Sequence, residues 1–167
     1  MSIRLKLLII LLLISTSASA AGSLHSVEWK FYHFNGKKII HGRPEPGVDF
    51  IAIADGIRPA IARSEERLDP VPLPPDRGGV AGIAYIAVSG GKSGIQHEYL
   101  PAGRMKLNLA SGNKIIATLE TGENGYFAAD LPPGRYRIGI SPFFSDVSIE
   151  KGVTAIVSIR AGKRMVD

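Results

Sequence analysis

The chain has 167 residues, no cysteine, and 20 basic against 15 acidic residues. Without cysteine it can form neither a disulfide nor a lipid-modified cysteine. The small positive charge is spread along the chain and argues against a nucleic-acid partner. No segment after the first twenty residues is long and apolar enough for stable membrane insertion. A chain of this length fits one domain with an attached segment.

Residues 1–20 are typical of an export signal. Arg4 and Lys6 form a positive start, Leu7–Ile14 is an unbroken apolar run, and "ASA" at positions 18–20 is a cleavage site. The apolar run has eight residues, whereas a membrane span needs about 20. We therefore expect cleavage after Ala20 and an exported, soluble protein of the periplasm or cell surface.

Residues 21–69 are predicted to form a β-rich N-terminal segment. Asn35-Gly36 lies between two extended runs, which is the pattern of a β-hairpin, and "GVDFIAIADG" indicates a further strand. Residues 57–68 could instead form a short helix. Because sandwiches leave open sheet edges, residues 24–55 are expected to pair with such an edge, either on the same molecule or on a neighbour.

Residues 70–78 contain four prolines and are predicted to be a stiff, extended linker. Residues 79–163 then form a series of short runs separated by turn residues. That spacing predicts an all-β, antiparallel, seven-stranded sandwich preceded by the N-terminal hairpin segment. The seven runs are "GVAGIAYIAV", "RMKLNLA", "NKIIATLET", "YFAAD", "RYRIGI", "SDVSI" and "TAIVSIRA".

The stretch "NGYFAADLPPGRYRI" (124–138) is predicted to be a structural corner. Gly125 can supply the positive φ of an Asn-Gly turn, and Pro132 and Pro133 suit a crossover between strands. We expect a Cβ atom at Gly125 or Gly134 to strain the backbone. Every residue of this stretch has a packing or turn role, so no catalytic or binding role is needed to explain it.

The stretch "ETGENGYFAADLPPGRYRIGI" resembles the signature of the carboxypeptidase regulatory-like, or transthyretin-like, β-sandwich domains. "GGVAGIAYIAV" is similar to the first strand of that family and "KGVTAIVSIRAG" to its last, so the resemblance covers residues 78–163. It implies a structural or binding module more than an activity. Relatives that form an internal Lys-to-Asn bond need residues that the first and last strands lack here, and the Tyr-Arg-Gly-Ser ending of hydroxyisourate hydrolases is also missing.

The residue pattern therefore predicts a non-enzymatic protein without a cofactor, metal or catalytic residue. Its predicted role is structural, with a protein partner or self-association. The alternative is binding of carbohydrate or another small ligand through aromatic side chains. The aromatic residues offered for such a surface are Trp29, Tyr32, Phe34, Tyr99 and Phe143; ordinary packing is the competing interpretation.

Overall fold

The computed structural model describes residues 27–63, 65–90 and 98–166, which form an all-β protein. These residues include no helix, hence none that could cross a membrane. The predicted export signal lies outside them. The strands are β1 (Lys30–Phe34), β2 (Ile39–His41), β3 (Asp49–Ile53), β4 (Ala60–Arg63), β5 (Gly78–Gly90), β6 (Glu98–Pro101), β7 (Lys106–Ser111), β8 (Lys114–Glu120), β9 (Tyr126–Leu131), β10 (Gly134–Ile140), β11 (Phe143–Ile149) and β12 (Thr154–Val166).

Three sheets organise these strands. The N-terminal sheet has the order β2-β1-β3-β4, the central sheet β12-β5-β6 with β9 also paired to β5, and the outer sheet β11-β10-β7-β8. The pairs are antiparallel except for β5 and β12, which are parallel. The prediction of an all-β sandwich is confirmed: the seven predicted runs correspond to β5 and β7 to β12, and the short strand β6 joins them.

The sandwich core lies between the central and outer sheets. Leu107, Leu109 and Ile138 of the outer sheet are fully buried against Val80 and Ile159 of the central sheet. Burying one such aliphatic side chain contributes about 1.5–3 kcal/mol to stability. The lysine and asparagine side chains that alternate with Leu107 and Leu109 point away from this core, as the period-two pattern predicts.

The N-terminal sheet covers the other face of β5. Ala81 and Ile83 of β5 pack against Ile51, Tyr32 and Phe34 of that sheet. Strand β5 is thus buried on both faces, which explains its nearly uninterrupted apolar sequence. Residues 24–55 were expected to pair with a sandwich edge of the same molecule or of a neighbour. The described residues 27–55 do not pair with their own sandwich's edge but build a separate sheet that packs through its side chains, and pairing with a neighbour stays a prediction.

The described residues among 57–68 contain strand β4 and not the short helix that the sequence allowed. Ala60 and Ala62 face the apolar cluster around Phe50, and β4 pairs antiparallel with β3. The extended proline-rich stretch runs back along this segment. The Arg58 N–H donates to the Val71 carbonyl at 2.8 Å, and the Leu73 N–H donates to the Gly56 carbonyl at 2.8 Å.

Candidate functional site

The aromatic residues of the N-terminal segment do not form one exposed surface. Trp29 lies on the outer face of the N-terminal sheet and packs against the cluster around Phe50. Tyr32 and Phe34 lie on the opposite face and pack onto the central sheet. All of them are half-buried or buried, so packing accounts for most of their apolar area.

The other two predicted aromatic residues lie in different places. Tyr99 contacts Tyr85 edge-on with ring centroids 5.1 Å apart, and Tyr85 stacks on Phe34 at 5.9 Å. The structure thus brings Phe34 and Tyr99 together through Tyr85. Phe143 lies on β11 below the Arg160 guanidinium, 5.0 Å from the ring centroid.

Hydrogen bonds hold the predicted corner (124–138) and Thr121, which lies just before it. The buried Thr121 hydroxyl donates to the Ala102 carbonyl at 2.8 Å and accepts from the Met105 N–H at 2.9 Å. The Tyr136 hydroxyl donates to the Pro132 carbonyl at 2.8 Å. The Thr121 hydroxyl therefore links the start of this stretch to the turn before β7, and the Tyr136 hydroxyl closes the connection between β9 and β10.

Gly125 is the most constrained residue of this corner. Its φ is +77°, and a Cβ atom would stand 2.7 Å from the Ala84 carbonyl oxygen and 2.9 Å from the Ala102 nitrogen. Gly134 has φ +157°, and its Cβ would lie 3.4 Å from the Tyr136 ring. Both glycines favour the structural interpretation of the corner, and Gly125 tolerates a side chain least.

A polar cleft of about 290 Å³ separates the N-terminal sheet from this corner. Asp49 lies in it and accepts a hydrogen bond from Arg63 Nε at 3.1 Å and another from the Asn124 side-chain amide. Phe34 lines one side. A second cleft of about 320 Å³ shares Asp49, Asn124 and Tyr126 with the first.

Tyr126 lies where the two clefts meet. Its ring is buried, and its hydroxyl accepts the Phe34 N–H at 2.9 Å. Burial raises the pKa of Tyr126, and the nearby Asp49 carboxylate raises it further, while the Phe34 hydrogen bond acts in the opposite direction. The hydroxyl therefore stays protonated at neutral pH and can donate a hydrogen bond to an acceptor in the cleft.

Strand β8, at the edge of the outer sheet, carries two of the three most exposed large apolar side chains in the described ranges. In the described part of the chain β8 pairs with β7 alone, so its other side presents backbone N–H and C=O groups outward. The Ile115 and Ile116 side chains are 55% and 47% exposed. The register shifts at this point, with Ile115 and Ala117 opposite consecutive β7 residues, so Ile116 has no direct partner on β7.

The opposite edge of the outer sheet is covered. There β11 packs beside β12 of the central sheet, and Ser145 Oγ donates to the Ser158 carbonyl at 3.2 Å. Other exposed aliphatic residues, such as Val71 and Val153, lie outside the named strands. Only β8 combines two adjacent exposed isoleucines with a free strand edge among the residues that the structure describes.

Sequence reasoning missed both the β8 edge and the polar cleft. The adjacent isoleucines in "NKIIATLET" break the two-residue alternation, so one of them has to leave the core, and this was a usable signal. The cleft joins residues 49, 63 and 124, and no local pattern connects positions so far apart. No group of three metal-binding side chains occurs in the described ranges.

The described residues form a two-sheet β-sandwich that carries a third sheet, and strand β8 is an aliphatic edge of its outer sheet. No family model matches the sequence, and comparison with curated proteins finds no match. Among solved structures the chain is similar to a minor pilin of Streptococcus agalactiae, with 12% identity, 83% of each chain covered and a TM-score of 0.38. A likeness at this level carries no argument about function.

Proposed function

We propose that this is an exported, non-enzymatic structural protein that associates with a protein partner through the β8 edge. The observation that carries the proposal is the free edge of β8 with Ile115 and Ile116 about half exposed. An exposed strand edge can accept a strand from another chain, because main-chain hydrogen bonds supply affinity and alternate side chains supply specificity. Residues 1–20 support export. The signature residues from Thr121 to Tyr136 support membership of the transthyretin-like family.

The test is capture of the partner by edge variants of the mature protein. Tagged wild type, Ile115→Lys/Ile116→Lys and the control Val71→Lys/Val153→Lys are compared on an envelope extract of the cells that make the protein. Both double variants replace two exposed aliphatic side chains with lysines. We expect wild type and control to retain the same protein, identified by mass spectrometry, and the edge variant to lose it.

The control separates loss of the edge from loss of the fold. Circular dichroism has to show equal melting curves for the two double variants, since the changed side chains are exposed in both. Retention of the same protein by the edge variant would contradict the proposal. Equal loss of the captured protein by the control variant would also contradict the proposal.

A second candidate function is binding of a carbohydrate in the cleft beside Asp49. The cleft combines carboxylate, amide, guanidinium and phenol groups with the Phe34 ring, and a sugar offers hydroxyls and an apolar ring face to such a set. A glycan array tests wild type, Asp49→Asn and Asp76→Asn. Asp76 is an exposed partner of Lys151, so its variant is the matched control.

Glycan binding that persists in Asp76→Asn and disappears in Asp49→Asn would support the cleft. Binding by all three proteins would place the sugar elsewhere. Absence of binding by the wild type would remove this candidate.

A further inference from the structure

The charges of β8 are arranged for pairing with a copy of itself. Lys114 and Glu120 begin and end the strand, each three residues from Ala117. Two such strands that run antiparallel about Ala117 bring Lys114 of each copy to the end that carries Glu120 of the other. Parallel pairing in register would instead place lysine beside lysine and glutamate beside glutamate, which is unfavourable.

We propose that two copies of this protein associate through antiparallel β8 edges and join their outer sheets into one eight-stranded sheet. The inference rests on the proposed function and names the partner of the same edge. A two-fold axis at Ala117 makes the contact isologous, so it closes on a dimer and leaves no free β8 edge.

The aliphatic residues of the strand fit this arrangement. Pairing about Ala117 places Ile115 opposite Leu119 and Ile116 opposite Thr118 of the second copy, so each isoleucine gains a cross-strand neighbour. The two isoleucines are 55% and 47% exposed in the single chain, and their burial drives the association. Main-chain hydrogen bonds along the strand add to it, because the outward N–H and C=O groups of β8 find partners.

The contact involves one strand from each copy, so it is smaller than a stable dimer interface and its population depends on concentration. A shared surface or assembly raises the local concentration of such a protein and favours the paired form. Charged strand ends also make the association sensitive to salt, because exposed charges are screened.

A charge-swap experiment on the mature chain tests the pairing and its direction. Lys114→Glu leaves two glutamates at the edge, and Glu120→Lys leaves two lysines. In each variant both cross-copy pairs become repulsive, so we expect sedimentation velocity at low ionic strength to show about tenfold weaker self-association than wild type. An equimolar mixture of the two variants restores both opposite-charge pairs and should sediment as a dimer.

The double variant Lys114→Glu/Glu120→Lys provides the second control. It reverses every pair while keeping their signs opposite, so it should dimerise like the wild type. Like Glu120→Lys, it places a lysine at position 120 opposite Lys106 of β7. Its recovery would show that weak association of Glu120→Lys comes from the contact between copies.

Three results would overturn the proposal: a wild type that sediments as a monomer at all accessible concentrations, single swaps that associate as strongly as wild type, or a mixture that fails to recover. A monomeric wild type that still loses a captured protein on Ile115→Lys/Ile116→Lys would leave the proposed function intact and remove self-pairing. Capture that is unaffected by the edge variant, together with a monomeric wild type, would remove both.

Discussion

Gly125→Ala is expected to destabilise the protein through two separate effects. The first is the backbone: φ is +77° at this position, and an L-residue in the left-handed region costs about 1–2 kcal/mol. The second is space, because the new Cβ would stand 2.7 Å from the Ala84 carbonyl oxygen. That carbonyl accepts the Ala102 N–H at 2.8 Å, and the Ala84 N–H donates to the Gly125 carbonyl at 2.9 Å.

Relief of the contact has to move one of these hydrogen-bonded groups, and loss of one bond costs about 1 kcal/mol. The total expected loss for Gly125→Ala is about 2–3 kcal/mol. Gly112→Ala is the matched control, since Gly112 has φ +57° and nothing lies within 4 Å of its Cβ position. That variant should lose only the backbone contribution, about 1–2 kcal/mol.

Urea unfolding followed by circular dichroism measures both variants against wild type. The reasoning requires Gly125→Ala to lose at least about 1 kcal/mol more than Gly112→Ala, the hydrogen-bond contribution. Equal losses would refute it, since the close approach of Ala84 and Ala102 would then have no energetic effect.

Three further substitutions test the corner and the cleft. Thr121→Val keeps the shape but removes the hydroxyl that bridges two backbone groups, and should cost about 2 kcal/mol in urea unfolding; a loss below about 0.5 kcal/mol would contradict the bridge. Tyr136→Phe removes the hydrogen bond to the Pro132 carbonyl and should cost about 1 kcal/mol in the same assay, whereas unchanged stability would show that the bond contributes nothing. The raised pKa of Tyr126 means that the folded state holds the phenol proton more tightly than the unfolded chain, so this contribution is complete below about pH 10 and is lost as the pH rises through the folded-state pKa. Unfolding measured from pH 8 to 11 should therefore show a steeper alkaline loss for wild type than for Tyr126→Phe, and parallel curves would be inconsistent with the raised pKa.

The two-residue alternation of apolar and polar side chains predicted most strands of the sandwich. Runs such as "RMKLNLA" have one buried and one exposed face, and this alternation identifies both the strand and its inward residues. Strand β6 was missed because "EYLP" is short and ends in proline, a residue that suits the edge position it occupies. The parallel pairing of β5 with β12 joins residues about 75 positions apart and has no local signal.

The local pattern also did not predict that the N-terminal sheet covers β5. Strand β5 is buried on both faces, and its uninterrupted apolar run fits that burial, but the run does not show which segment of the chain covers the second face. The helix allowed for residues 57–68 was wrong because pairing with β3 and burial of Ala60 and Ala62 outweigh local propensity. Trp29, Tyr32 and Phe34 looked available for binding because their packing partners lie in other strands.

The central claim is that β8 is the contact edge of this protein, and cross-linking in the cells that make it tests that claim most directly. A photo-reactive amino acid replaces Ile116 in one version and Val71 in another, both exposed aliphatic positions. The account predicts a defined protein adduct from position 116 and none from position 71, with an adduct of twice the chain mass if the partner is a second copy. No adduct at position 116, or the same adducts from both positions, would contradict it.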